Sequence, residues 1–173
     1  MRTVRLAAGE LPRLAELVVD AVESGASVGF LRPFTAGEAA AWWAGHAAAV
    51  AAGRMAVWAA VDGDGRWIGT VSLVFEQKPT GRHRAEIVKL LVHSAARRRG
   101  VARALLAVAE RAAADAGVTL LMLDTEKDSG AERLYRSEGW IKFGEVPGHA
   151  ADPDGVPRPT SFYRKDLPAA VAP

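Results

Sequence analysis

Apolar residues at positions 11, 14, 17, 18, 21 and 22 recur at three- and four-residue steps. That spacing is one face of a helix and predicts one over residues 11–24, with Pro12 tolerated in its first turn. Residues 3–7 read as a short strand before it, and residues 25–33 as a loop holding Val28, Phe30 and Leu31. Thr35 followed by Glu38 is a capping-box pair, and it opens an alanine-rich helix predicted to run to residue 52. The pattern then changes to strands. Residues 55–61 are apolar and end at Asp62-Gly63-Asp64-Gly65, which is turn chemistry, and residues 67–76 return as the second half of a hairpin. After a polar loop, simple alternation over residues 85–93 puts Ala85, Ile87, Lys89, Leu91 and His93 on one face. Glu86, Val88, Leu90 and Val92 take the other. Both faces carry apolar residues, so this strand is predicted to be central and covered on each side. A helix over 100–116 stops at Gly117, and 119–125 is another central strand. Ser129 with Glu132 is a second capping-box pair, opening a short helix that Gly139 ends. Residues 140–146 and 160–167 read as final strands around a loop, 147–159, rich in proline, glycine and aspartate. Residues 168–173 are expected to fray.

This order predicts one α/β domain over residues 1–167, with a mixed (α+β-like) sheet of about seven strands and helices on both faces. A chain of 173 residues, half of them apolar, suits one domain with a real core. Cysteine is absent, which excludes disulfides, thiolate zinc sites and a cysteine nucleophile, and makes the reducing cytoplasm the expected location. Charged residues from Arg2 to Asp20 interrupt any signal-peptide core, and no apolar run reaches the roughly 18 residues that a membrane span needs. A net charge of +2 is too small to make nucleic acid the main partner, despite basic runs at 82–84 and 97–99. Neither a membrane nor a metal is expected as a partner.

The stretch from Leu90 to Ala102 is the most informative. A buried strand ends near His93, a basic turn follows, and a helix opens among small residues. Such a junction gathers unpaired backbone N–H groups and the positive end of the helix dipole, which together bind phosphate oxygens. Gly100 and Ala102 let a diphosphate approach the backbone, and Arg97, Arg98 and Arg99 add charge at the rim.

The spacing Arg97, Gly100, Ala102 resembles the acetyl-CoA signature of the GNAT N-acetyltransferase superfamily, and the element order resembles that fold along nearly the whole chain. The resemblance implies the GNAT fold, its sheet splayed between the strands at 85–93 and 119–125. It implies acetyl-CoA as co-substrate, its pantetheine arm along Leu90, Leu91 and Val92 and its diphosphate on Arg97, Arg98, Arg99, Gly100, Val101 and Ala102. Asp124-Thr125 and the run from Ser129 to Trp140 resemble the family's second cofactor-side helix, which adds Ser129, Ala131 and Tyr135 as cofactor contacts. The segments 88–93, 123–125 and 146–150 are similar to the branch holding the tabtoxin-resistance acetyltransferase. That branch implies a small-molecule amine acceptor, an amino-acid-like toxin or antibiotic among the candidates. A homodimer is implied by resemblance alone. A protein N-terminal or lysine acetyltransferase and a non-catalytic acyl-CoA sensor share the same signature and stay open at this point.

By the same resemblance Tyr135 is the acid for the leaving thiolate; otherwise it is a core tyrosine with a satisfied hydroxyl. Asp124 and Glu86 are the candidate bases for the acceptor ammonium. Asp124 could instead cap the loop at 127–130, and Glu86 could be an exposed strand-end charge. His93 is expected to line the phosphate turn. Lys89 is expected to be structural or paired with a carboxylate. Adjacent Trp42 and Trp43 cannot both face the core, so one could line the acceptor pocket or an interface, with simple packing as the other reading. Phe30, Arg32, Trp42 and His149 are the expected acceptor contacts, with Arg32 placed to meet an acidic group on the substrate. The loop containing His149, Asp152 and Asp154 is expected to cover the pocket.

Overall fold

Strand β1 (Arg2–Arg5) leads into a 3-10 segment, Ala8–Leu14, that runs on as helix α1 (Ala15–Glu23). The computed structural model describes residues 1–168, so the tail expected to fray lies, apart from Pro168, outside the described residues. Helix α1 begins later than the apolar spacing predicts, because Pro12 sits inside the tighter 3-10 turn. Helix α2 (Ala36–Ala44) opens on the expected reciprocal cap: the Glu38 amide donates to Thr35 Oγ1 at 3.2 Å and the Thr35 amide to Glu38 Oε2 at 2.8 Å. The predicted single helix to residue 52 is broken at Gly45-His46, and α3 (Ala47–Ala51) follows as a separate turn. His46 Nδ1 lies 2.9 Å from the Trp42 carbonyl at this break.

The remaining elements are β2 (Met55–Val61), β3 (Trp67–Phe75), β4 (Arg84–Val92), α4 (Val101–Asp115), β5 (Leu120–Glu126), α5 (Gly130–Ser137), β6 (Ile141–Ala151) and β7 (Pro157–Asp166). The seven strands form one sheet ordered β1-β2-β3-β4-β5-β7-β6. Pairing is antiparallel except between β4 and β5, the strands joined through α4. Every residue of β2 is buried because each face of the sheet carries its own core. Ala56, Trp58 and Ala60 pack toward α4, and Met55, Val57 and Ala59 toward α1 and α2.

Two departures from regular pairing shape the middle of the sheet. Thr70 pairs with Leu91 but Ser72 with Val88, so Val71 alone opposes Lys89 and Leu90. This is a β-bulge, with Lys89 in the left-handed region at φ 52°. It overturns the alternation expected for this strand. Ala85, Ile87, Leu90 and Val92 pack on the α4 side, whereas Val88 and Leu91 pack with α1 and α2. Strands β4 and β5 then pair only at Arg84–Leu120, Ala85–Leu121 and Glu86–Met122. Beyond Glu86 they run on separately, and the sheet is splayed there.

The loop expected at 147–159 is instead mostly strand. β6 and β7 form a long hairpin whose register slips between Lys142 and Gly144 and between Val146 and Ala150. The slips absorb Pro147 and Gly148 in an edge strand, where a missing N–H costs no ladder bond. The turn at its tip is tied by Asp152, whose carboxylate accepts from the Asp154 and Val156 amides at 3.0 Å each and from Arg158 Nε at 2.9 Å.

Candidate active site

The splay opens at the start of α4. Gly100 is the N-cap residue at φ 78°, and no side chain caps the helix, whereas Thr35 caps α2 and Ser129 caps α5. The first helical bond runs from the Ala104 amide to the Gly100 carbonyl at 3.1 Å. The amides of Val101, Ala102 and Arg103 therefore lie at the positive helix end with no intrahelical acceptor, the arrangement that receives an anion. Arg98 (φ 65°) and Arg99 are exposed beside it. The Val101 side chain is buried in the core, which leaves only its backbone for a ligand. Leu90 and Val92 are partly buried on the α4 side, and Leu91 faces the opposite core.

Arg97 does not join the rim as expected. Its Nη2 donates to Ser24 Oγ at 2.7 Å and lies 4.0 Å from Asp20, so its guanidinium braces α1. Asp20 was legible only as one charge on a helix, yet it organises the turn. Its carboxylate accepts from the Ser94 amide at 2.8 Å and the Ser94 hydroxyl at 2.6 Å, and lies 3.7 Å from His93 Nε2. His93 Nδ1 in turn accepts from the Ala95 amide at 3.2 Å. No local pattern joins Asp20 to residues 74 positions away.

Helix α5 presents Tyr135 from the α4 side. Ser129 Oγ accepts from the Glu132 amide at 3.2 Å, but the Glu132 carboxylate does not close the expected box. It turns inward, accepting from the Asp128 amide at 2.8 Å and the Tyr163 hydroxyl at 2.7 Å. Burial alone would raise its pKa; the Tyr163 hydroxyl, the Asp128 amide and Arg136 outweigh that and hold it at about 2. Tyr163 is thus the core tyrosine with a satisfied hydroxyl, also accepting from Arg136 Nε at 3.0 Å. Tyr135 is buried against Trp140 and Tyr163, and burial followed by the Asp124 charge pushes its phenol further up, with no hydrogen bond contributing. Ala131 is partly buried on the same side.

The opposite side of the sheet carries Glu86, Lys89 and Asp124. Asp124 sits opposite Phe162 in the β5–β7 register, and His149 packs edge-on against that ring at 5.1 Å. Glu86 is open to the cleft; the protein around it, then the Asp124 charge, raise its carboxyl, and Lys89 partly offsets them. The Lys89 ammonium donates to the Val28 carbonyl at 2.9 Å and lies 5.4 Å from the Phe30 ring and 5.2 Å from that of Trp42. Burial lowers its pKa, while Asp124 and Glu86 oppose the shift. Of the two readings expected for it, structural or paired, the bond to Val28 is the structural one, and no carboxylate among the described residues pairs with it within 4.0 Å. Trp43 is fully buried and Trp42 faces the loop, which divides the two tryptophans as expected. Arg32 is not free to meet a substrate. It forms an ion pair with Asp154, and its amide donates to the Pro153 carbonyl at 2.8 Å. With Ser27 Oγ donating to the Ala151 carbonyl at 2.9 Å, these bonds join the 25–33 loop to the tip of the β6–β7 hairpin. A groove of about 1080 Å³ lies away from these carboxylates, between the β2–β3 turn and the start of α1. No cluster of three metal-ligating side chains occurs among the described residues.

Residues 16–140 match the family model described as the acetyltransferase (GNAT) family. The chain belongs to that family. Rat N-acetyltransferase 8 is 38% identical over 90 residues, 51% of this chain and 40% of the relative, so the chain spans less than half of that relative's length. The Acinetobacter baylyi ADP1 structure of ACIAD1637 superposes with a TM-score of 0.82 at 19% identity, covering 99% of this chain and 96% of the other. A Sinorhizobium meliloti phosphinothricin acetyltransferase, solved with acetyl-CoA, gives a TM-score of 0.79 at 19% identity over 96% and 88% of the two chains. At such identities the two structures establish a shared fold. The splayed seven-stranded mixed sheet with helices on both faces is the GNAT fold.

Proposed function

We propose that this GNAT chain transfers the acetyl group of acetyl-CoA to the primary amine of a small molecule. One observation carries the reading: the β4–β5 splay opens beside an uncapped helix N-terminus, with Tyr135 on one side and Glu86 and Asp124 on the other. The residues fit the co-substrate. The amides of Val101, Ala102 and Arg103 offer donors to a diphosphate, and the unpaired edge of β4 over Leu90, Leu91 and Val92 offers backbone groups to the amides of a pantetheine arm. Arg98, Arg99, Gly100, Ser129 and Ala131 complete that surface, and Arg97 holds the turn in place.

Acetyl-CoA supplies a thioester carbonyl. Glu86 takes a proton from the acceptor ammonium, directly or through one water; its raised pKa brings it nearer the working pH than an ordinary carboxylate. Asp124 holds the ammonium by charge. The freed lone pair forms the new C–N bond as the C–S bond breaks; Tyr135 delivers its phenolic proton to the departing sulfur, and the extra proton left on the new amide nitrogen passes back to the phenolate through water, restoring the tyrosine. Burial and the Asp124 charge keep the phenol protonated, so a proton is present on Tyr135 when the sulfur departs.

Several observations support a small acceptor. The 25–33 loop and the hairpin tip are bonded together over the acceptor side, and Phe30, Trp42 and His149 line the approach. The motifs shared with the tabtoxin-resistance branch support a toxin or antibiotic as acceptor. The same resemblance supports a homodimer in the cytoplasm, and Ile141, Phe143 and Val146, exposed on edge strand β6, are the surface such a dimer would cover. The deciding experiment is release of CoA thiol from acetyl-CoA across amino acids, their toxin analogues, polyamines and aminoglycosides. Amine-dependent release is expected; acetyl-CoA binding without turnover on any amine would make the chain an acyl-CoA sensor.

A further inference from the structure

Lys89 is a cation whose surroundings leave its charge unanswered. The bulge holds its backbone in the left-handed region, which points the side chain under the 25–33 loop. One N–H of the ammonium goes to the Val28 carbonyl, and the rings of Phe30 and Trp42 flank it. The loop reaches the ammonium: a Cβ on Gly29 would lie 3.6 Å from Nζ, an ordinary contact distance. Among the described residues no carboxylate lies within 4.0 Å of it, although Glu86 and Asp124 are near enough for their charges to act on it. A cation partly removed from water with no counter-ion in contact is costly, and among the described residues only the Val28 carbonyl accepts from its three donors.

We propose that Lys89 binds an acidic group on the acceptor, so that the substrate is an amine carrying a carboxylate, phosphinate or phosphonate a few bonds from its nitrogen. The inference rests on the acetyltransferase reading above and names the acceptor class for the same site. Glu86 and Asp124 stand near enough to the Lys89 ammonium for their charges to act on it, so carboxylates and a cation share this side of the sheet. A zwitterion laid between them places its ammonium on the carboxylates and its acid on Lys89, so each charge meets its opposite. Arg32, the residue whose type and position first suggest acid recognition, is occupied by Asp154. Lys89, under the same loop, is the cation whose charge acts on Glu86. The flanking aromatic rings favour an apolar substituent on the same molecule.

The test is a matched panel assayed by CoA thiol release: L-methionine against 3-(methylthio)propylamine, L-phenylalanine against phenethylamine, and L-leucine against isoamylamine. Wild-type protein is expected to prefer the acid-bearing member of a pair by at least about tenfold in kcat/KM. Lys89→Met is expected to lower kcat/KM for that member by about 10²-fold, mostly through KM, and to lower it far less for its decarboxylated partner. Lys89→Arg should recover part of the loss. An equal fall for both members would make Lys89 a loop staple and overturn the proposal. So would wild-type protein that turns over the plain amines as well as the amino acids. Should the Met variant fail to fold, inhibition of wild-type protein decides: 3-phenylpropanoate, an acid without the amine, is expected to compete with the amino-acid acceptor, and no inhibition would overturn the proposal. Silence on every acceptor, with acetyl-CoA binding intact by calorimetry, sinks the transferase reading and this inference with it. Turnover of amines without acid preference sinks this inference alone.

Discussion

The chain contains two tyrosines, and their hydroxyls separate catalysis from stability. Tyr163 is tied to Glu132 and Arg136, so Tyr163→Phe leaves a buried carboxylate short of a donor and should cost about 1–3 kcal/mol by chemical denaturation. Tyr135→Phe loses no hydrogen bond; its Tm should stay that of wild type while kcat for acetyl transfer falls about 10²-fold with acetyl-CoA affinity retained. The opposite pairing of effects would exchange the roles given to the two rings. Glu86 shows the tension between function and stability at a single carboxyl. Its pKa is raised, so the folded chain binds that proton more tightly than the unfolded chain does. The stability this confers is present at acid pH and is lost as pH rises from the ordinary carboxylate value through the raised one. Glu86→Gln should therefore be inactive yet more stable than wild type at pH 8, with the difference shrinking toward pH 4; thermal melts at both pH values check the sign. Asp20, absent from any motif, belongs with these residues because it fixes Ser94 and braces Arg97 at the anion turn.

Among the elements, β4 decides most. Its bulge turns Lys89 under the loop and sends Leu90 and Val92 to the α4 side, and its pairing with β5 ends within three residues of its start. Helix α4 can seat its open N-terminus against this strand because β3 gives way at Gly69. A Cβ there would stand 2.9 Å from the Leu91 carbonyl and 3.0 Å from both Leu105 Cδ1 and Val101 Cγ1. Since one of those neighbours is backbone, Gly69→Ala must push β4 or α4 aside, and a loss of about 2 kcal/mol is expected by urea unfolding. Acetyl-CoA affinity should fall in the same variant, because Val101 opens the helix whose amides are proposed to receive the diphosphate. A variant as stable as wild type would show that the close approach has room to relax. Helix α5 is held differently, through Glu132 and its bonds to Asp128, Tyr163 and Arg136, and that anchorage places Tyr135.

Across the whole molecule the two faces of the sheet divide the work. The α4–α5 side offers the anion turn and Tyr135, and the α1–α2 side offers Glu86, Asp124, Lys89 and the bonded loop and hairpin. Ligand that binds only this assembled state should stabilise it: acetyl-CoA at 100 times its Kd adds about 2.7 kcal/mol, a rise in Tm of roughly 5–10 °C for a chain of this size. Pantetheine, without the diphosphate, should give a much smaller shift, and equal shifts would remove the anion turn from the binding argument. The amino-acid order by itself determined the order and type of most elements, the strand–turn–helix from Leu90 to Ala102, and the choice of Tyr135, Asp124 and Glu86 as chemical candidates. Those are local properties, set by apolar spacing, caps and glycine placement within a few residues. What only the tertiary structure decided are relations between distant segments: Arg97 turned to α1, Arg32 spent on Asp154, the 147–159 stretch drawn into a hairpin, the tyrosine roles divided by Glu132, and Lys89 left without a counter-ion. A side chain's partner depends on which strands lie side by side and where a bulge resets their facing, and alternation along one strand carries neither piece of information.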